Sequence, residues 1–373
     1  MIYFKSMSYQ VLYRKYRPQT FSEVLGQERI VATLQGALLQ KRVGHAYLLC
    51  GPRGTGKTTI ARLVAKALNC QSPKINEKEK IFEPCNNCIS CDAINKGSDL
   101  DLIEIDAASN RGIDEIRQLK EVIRFSPANS RFKVFIIDEV HMLTLPAFNA
   151  LLKTLEEPPA HAIFILATTD PEKIPPTILS RVQRFNFKKL PQVTIFNKLK
   201  EISKEEKINI EDGALDILAQ AADGCMRDGQ SLLTQFILSG DLHISEEDAM
   251  SVLGRVSFVR LEEFFDLVAQ KNLAGIFKFL EKEEGEGMNL IGFLQASIFY
   301  WRYILLSHID EKLLLQDGHL TQEQIKKISE QKKLISKDEA FKGVEEFSSA
   351  LVSAKNSPLP RIPLELAILK VIE

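Results

Sequence analysis

The chain has 373 residues, 48 basic against 49 acidic side chains and a formal charge of −1. That length predicts two or three domains with real cores. The balanced charge excludes a protein that coats nucleic acid on its own, so such contacts must come from local patches or from assembly.

The opening residues are too short for a signal peptide, Met7 is an alternative start, and no apolar run approaches the roughly 18 residues of a membrane span. No membrane partner is expected. The six cysteines therefore point to a reducing cytoplasm, where metal or core roles outrank disulfides. Residues 7–44 read as polar and helical in part. From 46 to about 187, apolar runs at 46–50, 101–106, 133–138 and 162–167 alternate with helical stretches, the pattern of a parallel sheet covered on both faces. A polar loop, Gln71 to Pro84, and a cysteine cluster interrupt this rhythm, so 70–100 reads as an insertion. Amphipathic helices are predicted at 191–206, 211–222 and 226–239, the size of a small satellite domain. Further helices are predicted at 257–271, 273–284, 288–309, 321–334, 337–354 and 363–372. The expected division is an α/β P-loop domain over 1–187, a helical domain over 188–244 and an all-α domain over 245–373.

Gly51-Pro52-Arg53-Gly54-Thr55-Gly56-Lys57-Thr58-Thr59 is a complete phosphate loop, placed between an apolar strand and a helical pattern as the motif requires. Its backbone N–H groups and helix N-terminus suit phosphate, Lys57 reaches the β/γ-phosphates, and Thr58 places its hydroxyl on Mg²⁺. This chemistry calls for a nucleoside triphosphate. The run Phe135-Ile136-Ile137-Asp138-Glu139 ends a strand in two acids. Asp138 then lies beside the metal, and Glu139 orients or deprotonates the attacking water. Thr168-Thr169 ends the next strand, where a hydroxyl senses the γ-phosphate or simply reflects strand propensity. Arg181 and Arg227 are cations on neighbouring elements that could reach a phosphate. Cys85, Cys88 and Cys91, with Cys70 upstream, read as a closed tetrahedral zinc site that stabilises the insertion. Cys50 and Cys225 read as core residues.

These motifs, with Ser8-Tyr9-Gln10-Val11-Leu12, Arg14-Lys15-Tyr16-Arg17-Pro18, Gly26-Gln27, Asp138-Glu139-Val140-His141-Met142-Leu143 and the run Phe148 to Pro159, resemble the gamma/tau family of bacterial DNA polymerase III, the ATPases of the sliding-clamp loader. The resemblance covers nearly the whole chain. It implies an AAA+ module, a helical lid and a C-terminal collar. It also implies ATP, Mg²⁺ and Zn²⁺ as cofactors, Cys70, Cys85, Cys88 and Cys91 as zinc ligands, Thr169 as sensor 1 and Arg227 as sensor 2. The family's Ser-Arg-Cys motif is Ser180-Arg181-Val182 here, so Arg181 is expected to act in trans as an arginine finger. The segment from Gly224 to Ser231 departs from the usual pattern by placing Gly229 within a helix, and glycine weakens a helix by up to about 1 kcal/mol relative to alanine. The chain ends where a collar ends, as in the short gamma form, so no segment for tethering polymerase or helicase is expected.

The implied partners are other clamp-loader subunits in a hetero-pentameric ring, the sliding clamp and primer-template DNA. A DNA-directed DNA polymerase label would come only from holoenzyme membership. Arg111 and Arg117 are candidate phosphate contacts to DNA; the alternative for Arg117 is an ion pair with Glu121 on a solvated helix. A branch-migration motor on the same module and a non-hydrolysing ring subunit are the rival readings.

Overall fold

The computed structural model describes residues 10–239, 243–252, 258–285, 287–316 and 320–372. Met7, Ser8 and Tyr9 lie outside them. The chain divides into two compact units, 1–210 with 218–243 and 211–217 with 244–373.

The first unit begins with α1 (Leu12–Lys15) and α2 (Glu28–Leu39), followed by β1 (Ala46–Cys50) and α3 (Lys57–Asn69). The insertion holds a short hairpin, β2 (Lys74–Asn76) and β3 (Ile81–Glu83), then α4 (Ile89–Lys96). The polar loop expected over Gln71–Pro84 is thus partly strand. Its β2 residues are all exposed, so no burial pattern marks them. Alternation continues through β4 (Leu102–Asp106), α5 (Ile113–Arg124), β5 (Lys133–Asp138), α6 (Leu145–Glu156), β6 (Ala162–Thr168), α7 (Pro176–Leu179) and β7 (Gln183–Asn186). The helices α8 (Gln192–Glu205), α9 (Asp212–Ala221) and α10 (Met226–Ser239) follow, and the division between units falls within α9.

Five parallel strands form one sheet in the order β4-β5-β6-β1-β7. The central strands are buried on both faces, which is why they read as unbroken apolar runs. Period-two alternation sends Tyr47, Leu49, Val134, Ile136, Ile163 and Ile165 to a core shared with α2 and α3. Leu48, Cys50, Phe135, Ile137, Phe164 and Leu166 pack on the opposite face against α5 and α6. Phe135 and Phe164 stack at 5.3 Å between ring centroids. Ligands of such sheets sit beyond the carboxyl ends of the strands. There β1 delivers the phosphate loop, β5 the acidic pair and β6 the threonine pair.

Gly229 has a packing reason within α10. A Cβ there would lie 3.3 Å from both Ala222 Cβ and Ile195 Cγ2, so the small residue allows close approach.

Apart from a strand residue at Ile244, the regular elements of the second unit after residue 244 are helices among its described residues: α11 (Glu246–Val252), α12 (Phe258–Ala269), α13 (Leu273–Gly285), α14 (Leu290–Ile309), α15 (Lys312–Gln316), α16 (Gln322–Gln331), α17 (Lys337–Asn356) and α18 (Arg361–Ile372). Its core is aromatic. Phe264, Phe265, Phe293, Tyr300, Trp301 and Phe347 are all buried, and Phe265 stacks on Tyr300 at 4.2 Å. One expectation needs correction here. By length and composition α14 is apolar enough to cross a membrane, with 20 residues and a hydropathy of 1.3. Its apolarity has a structural cause, since Phe293, Leu294, Tyr300, Trp301 and Ile304 fill the centre of this core. Side-chain caps start α14, α16 and α17: Asn289 accepts from the N–H groups of Ile291 and Gly292, and Thr321 and Ser336 each form a capping box.

Candidate nucleotide site and cysteine centre

The phosphate loop turns sharply after β1. Gly54 has a φ of +70°, and a Cβ on it would fall 1.9 Å from Cys225 Sγ, so glycine is required by backbone conformation and by space. Thr55 Oγ1 donates to Pro52 O at 2.8 Å and pins the loop across its base. The first turn of α3 then offers unpaired N–H groups. Lys57 is buried, and its Nζ donates to Gly51 O at 2.8 Å and Pro52 O at 2.9 Å. Burial pushes the Lys57 ammonium below its usual range, against the opposing pull of Glu139 and Asp138.

Thr58 Oγ1 donates to Asp138 Oδ2 at 2.8 Å, joining the loop to the end of β5. Glu139 follows in the left-handed region, at a φ of +47°. Its Oε2 accepts from Thr169 Oγ1 at 2.8 Å and from the Thr169 N–H at 3.2 Å. Lys57, Thr58, Asp138, Glu139 and Arg227 line one cavity of about 320 Å³, together with Arg53 to Gly56 and Thr59. The Arg227 guanidinium lies 4.8 Å from the centre of the Tyr13 ring, a cation–π contact at the cavity wall. Tyr13, Arg17, Pro18, Leu190 and Met226 also line it. The Arg14–Pro18 segment stands out in the sequence without a role, and only folding brings Tyr16, Arg17 and Pro18 of it to this wall.

Arg181 follows α7 and is not among the residues lining the cavity. Its guanidinium donates to Glu156 Oε1 at 2.6 Å and to Thr177 O at 2.7 Å. Arg111 and Arg117 are exposed. Arg117 pairs with Asp114 at 2.9 Å, not with Glu121, so the expected i,i+4 partner is replaced by one at i,i+3.

Cys70 follows α3, Cys85 follows β3, Cys88 caps α4 and Cys91 lies in its first turn. All four sulfurs lie within 4.8 Å of one another, and all four thiols are free of disulfides. A zinc–sulfur distance of about 2.3 Å in a tetrahedron puts sulfurs about 3.8 Å apart, so the set fits that ion. Backbone N–H groups of Asn87 and Cys88 point at Cys85 Sγ, 3.4 and 3.3 Å away. Burial raises the Cys85 thiol, but these donors and the neighbouring thiols outweigh it and hold it at about 6. A thiolate at neutral pH is the form a metal takes.

A parallel sheet with a phosphate loop after β1, an acidic pair after β5 and a helical lid defines an AAA+ P-loop module. A sequence profile described as "DNA polymerase III, delta subunit" matches residues 26–191. One described as "DNA polymerase III clamp loader subunit, ATPase lid domain" matches 194–242. DNA polymerase III subunit tau of Bacillus subtilis is 44% identical over 98% of this chain and 64% of its own length. DNA polymerase III subunit gamma of Buchnera aphidicola subsp. Acyrthosiphon pisum is 38% identical over 98% of this chain and 99% of its own. Among solved structures, the Thermotoga maritima RuvB Holliday junction branch migration motor has a TM-score of 0.46 and 18% identity, over 68% of this chain and 79% of that one. A likeness that weak carries no argument about this chain. The chain belongs to the gamma/tau family of DNA polymerase III subunits. It spans just under two thirds of the Bacillus tau subunit and 43% of the Salmonella typhimurium one.

Proposed function

We propose that this protein is an ATP-hydrolysing subunit of the DNA polymerase III clamp loader, acting in the cytoplasm. In this reading it loads the sliding clamp on primer-template DNA during replication. The observation that carries the reading is the convergence of Lys57, Thr58, Asp138 and Glu139 on one cavity, in a chain of the gamma/tau family. In this reading the segment Gly51–Thr59 cradles the phosphates and Lys57 exchanges its carbonyl partners for the β- and γ-phosphates. Thr58 and Asp138 hold Mg²⁺, which supplies charge neutralisation on those phosphates when bound. Glu139 orients the attacking water, Thr169 senses the γ-phosphate, and Arg227 reports the nucleotide to the lid. Cys70, Cys85, Cys88 and Cys91 hold a structural zinc ion. The functional division is an ATPase domain over 1–187, a lid over 188–244 and a collar over 245–373.

Arg181 serves the neighbouring subunit's site in a hetero-pentameric ring, and Arg111 and Arg117 face DNA phosphates. The test is the ATPase rate of the purified chain, alone and with partner subunits, clamp and primed DNA. A slow isolated chain and a fast assembled one are expected, with K57A inactive in both. R181A should bind nucleotide normally yet lose on the order of 10³ of the stimulated rate, the usual worth of such a finger. Full activity of the isolated monomer would contradict the shared site. Charge reversal at Arg117 should lower DNA stimulation and leave the basal rate intact; unchanged stimulation would remove it from the DNA face.

A further inference from the structure

Glu139 Oε2 has a third neighbour besides the two Thr169 donors. His141 Nδ1, on the short turn Val140–Met142, lies 3.3 Å from it and 3.0 Å from Thr168 Oγ1. The ring is almost buried, with 11% of its side chain exposed. Thr168 is fully buried, and its oxygen already accepts the Asp170 N–H at 3.0 Å. A hydroxyl in that position has one proton left to give. It can give that proton to Nδ1 only when Nδ1 is bare. When Nδ1 carries the proton, it is a donor, and Glu139 is the carboxylate within reach. One ring nitrogen cannot serve both partners in the same way, so two tautomers give two states of Glu139.

We infer that His141 is a positioning residue that holds or releases Glu139 by sharing Nδ1 between Glu139 and Thr168. The inference rests on the reading of Glu139 as the residue that orients water. With Nδ1–H turned to Glu139, one carboxylate oxygen faces three donors and is not available to a water. With Nδ1 accepting from Thr168, Glu139 keeps only the Thr169 contacts. Once a phosphate takes the Thr169 hydroxyl, His141 is the remaining side-chain hold. Both threonines end the same strand, so the sensing hydroxyl and the one that competes for His141 are neighbours in the chain.

The test is steady-state ATPase and nucleotide affinity of the full chain carrying H141A, H141N, T168V or E139Q, with thermal melts to verify folding. H141A should raise basal kcat about fivefold, what one hydrogen bond of ordinary strength is worth, with KM for ATP unchanged. H141N should lower kcat below wild type, the opposite of H141A, because an asparagine NH2 in the place of Nδ1 can only donate and cannot release Glu139 by accepting from Thr168. T168V removes the competing hydroxyl and should lower kcat by a similar factor. Equal effects of H141A and H141N, or a change in KM alone, would overturn the assignment; if H141A unfolds, H141N and T168V decide it. E139Q separates the two levels. Wild-type hydrolysis by E139Q defeats the reading of Glu139 itself. A dead E139Q beside an H141A with unaltered kcat defeats only the role of His141.

Discussion

At the scale of single residues, the hydrogen bond between Thr58 and Asp138 ties a loop to a strand 80 positions away. It joins the two side chains proposed to hold Mg²⁺. T58A should therefore lower kcat by at least about 100-fold, the cost of misplaced charge stabilisation, while nucleotide still binds through the backbone cradle. A fluorescent-nucleotide titration beside a turnover assay separates the two, and a parallel loss of binding and turnover would place Thr58 in the cradle instead. The phosphate loop and the acidic pair were legible as residues because each requires its own types at fixed spacing. The wall formed by Tyr13, Arg17 and Met226 was not legible, since its members come from distant segments and share no spacing. His141 was visible only as a letter in a longer run. Its role depends on two hydroxyls that the sequence separates from it by more than 25 residues.

Among the elements, those with an internal period were the readable ones. β5 and β6 are buried on both faces and announce themselves as apolar runs, while α10 matches its predicted bounds. β7 escaped because an edge strand of sequence Gln-Arg-Phe-Asn buries only Phe185. Its strand character comes from pairing with β1 and not from its own composition. The insertion makes a metal prediction. Wild type should carry ~1 zinc per chain, and C88S should lose it and become sensitive to protease across 70–100, because a four-ligand structural site contributes folding energy. Metal analysis after dialysis checks this; a C88S chain that keeps its zinc would remove Cys88 from the ligand set.

The start of α17 makes a pH prediction. Lys271 bonds Glu339 at 2.8 Å, and with the Ser336 N–H it holds that carboxyl down at about 2. A folded value below the unfolded one stabilises above about pH 4.5, and the gain disappears as pH falls towards 2. Because Lys271 is more than half exposed, E339Q should cost less than about 1 kcal/mol at pH 7, with the gap closing between those limits. Urea melts across that range measure it, and a pH-independent gap would point to the helix cap instead.

For the whole molecule, substitution tolerance should differ between the cores of the two units. The aromatic unit has little slack: a Cβ on Gly343 would sit 2.3 Å from the Trp301 ring. G343A should destabilise by about 1–3 kcal/mol despite better helix propensity, measurable as a lower urea midpoint in the transition of the C-terminal half. An unchanged midpoint would mean that the Trp301 ring moves aside at no cost. Under the trans role proposed for Arg181, its pair with Glu156 has a consequence for assembly. A guanidinium that leaves one exposed carboxylate for a phosphate next door exchanges one screened attraction for another. Added salt weakens both sides of that exchange, so the free energy of handing the charge across changes little with ionic strength. The proposed contribution of Arg181 to turnover should therefore fall off with salt less steeply than the proposed phosphate contacts to DNA.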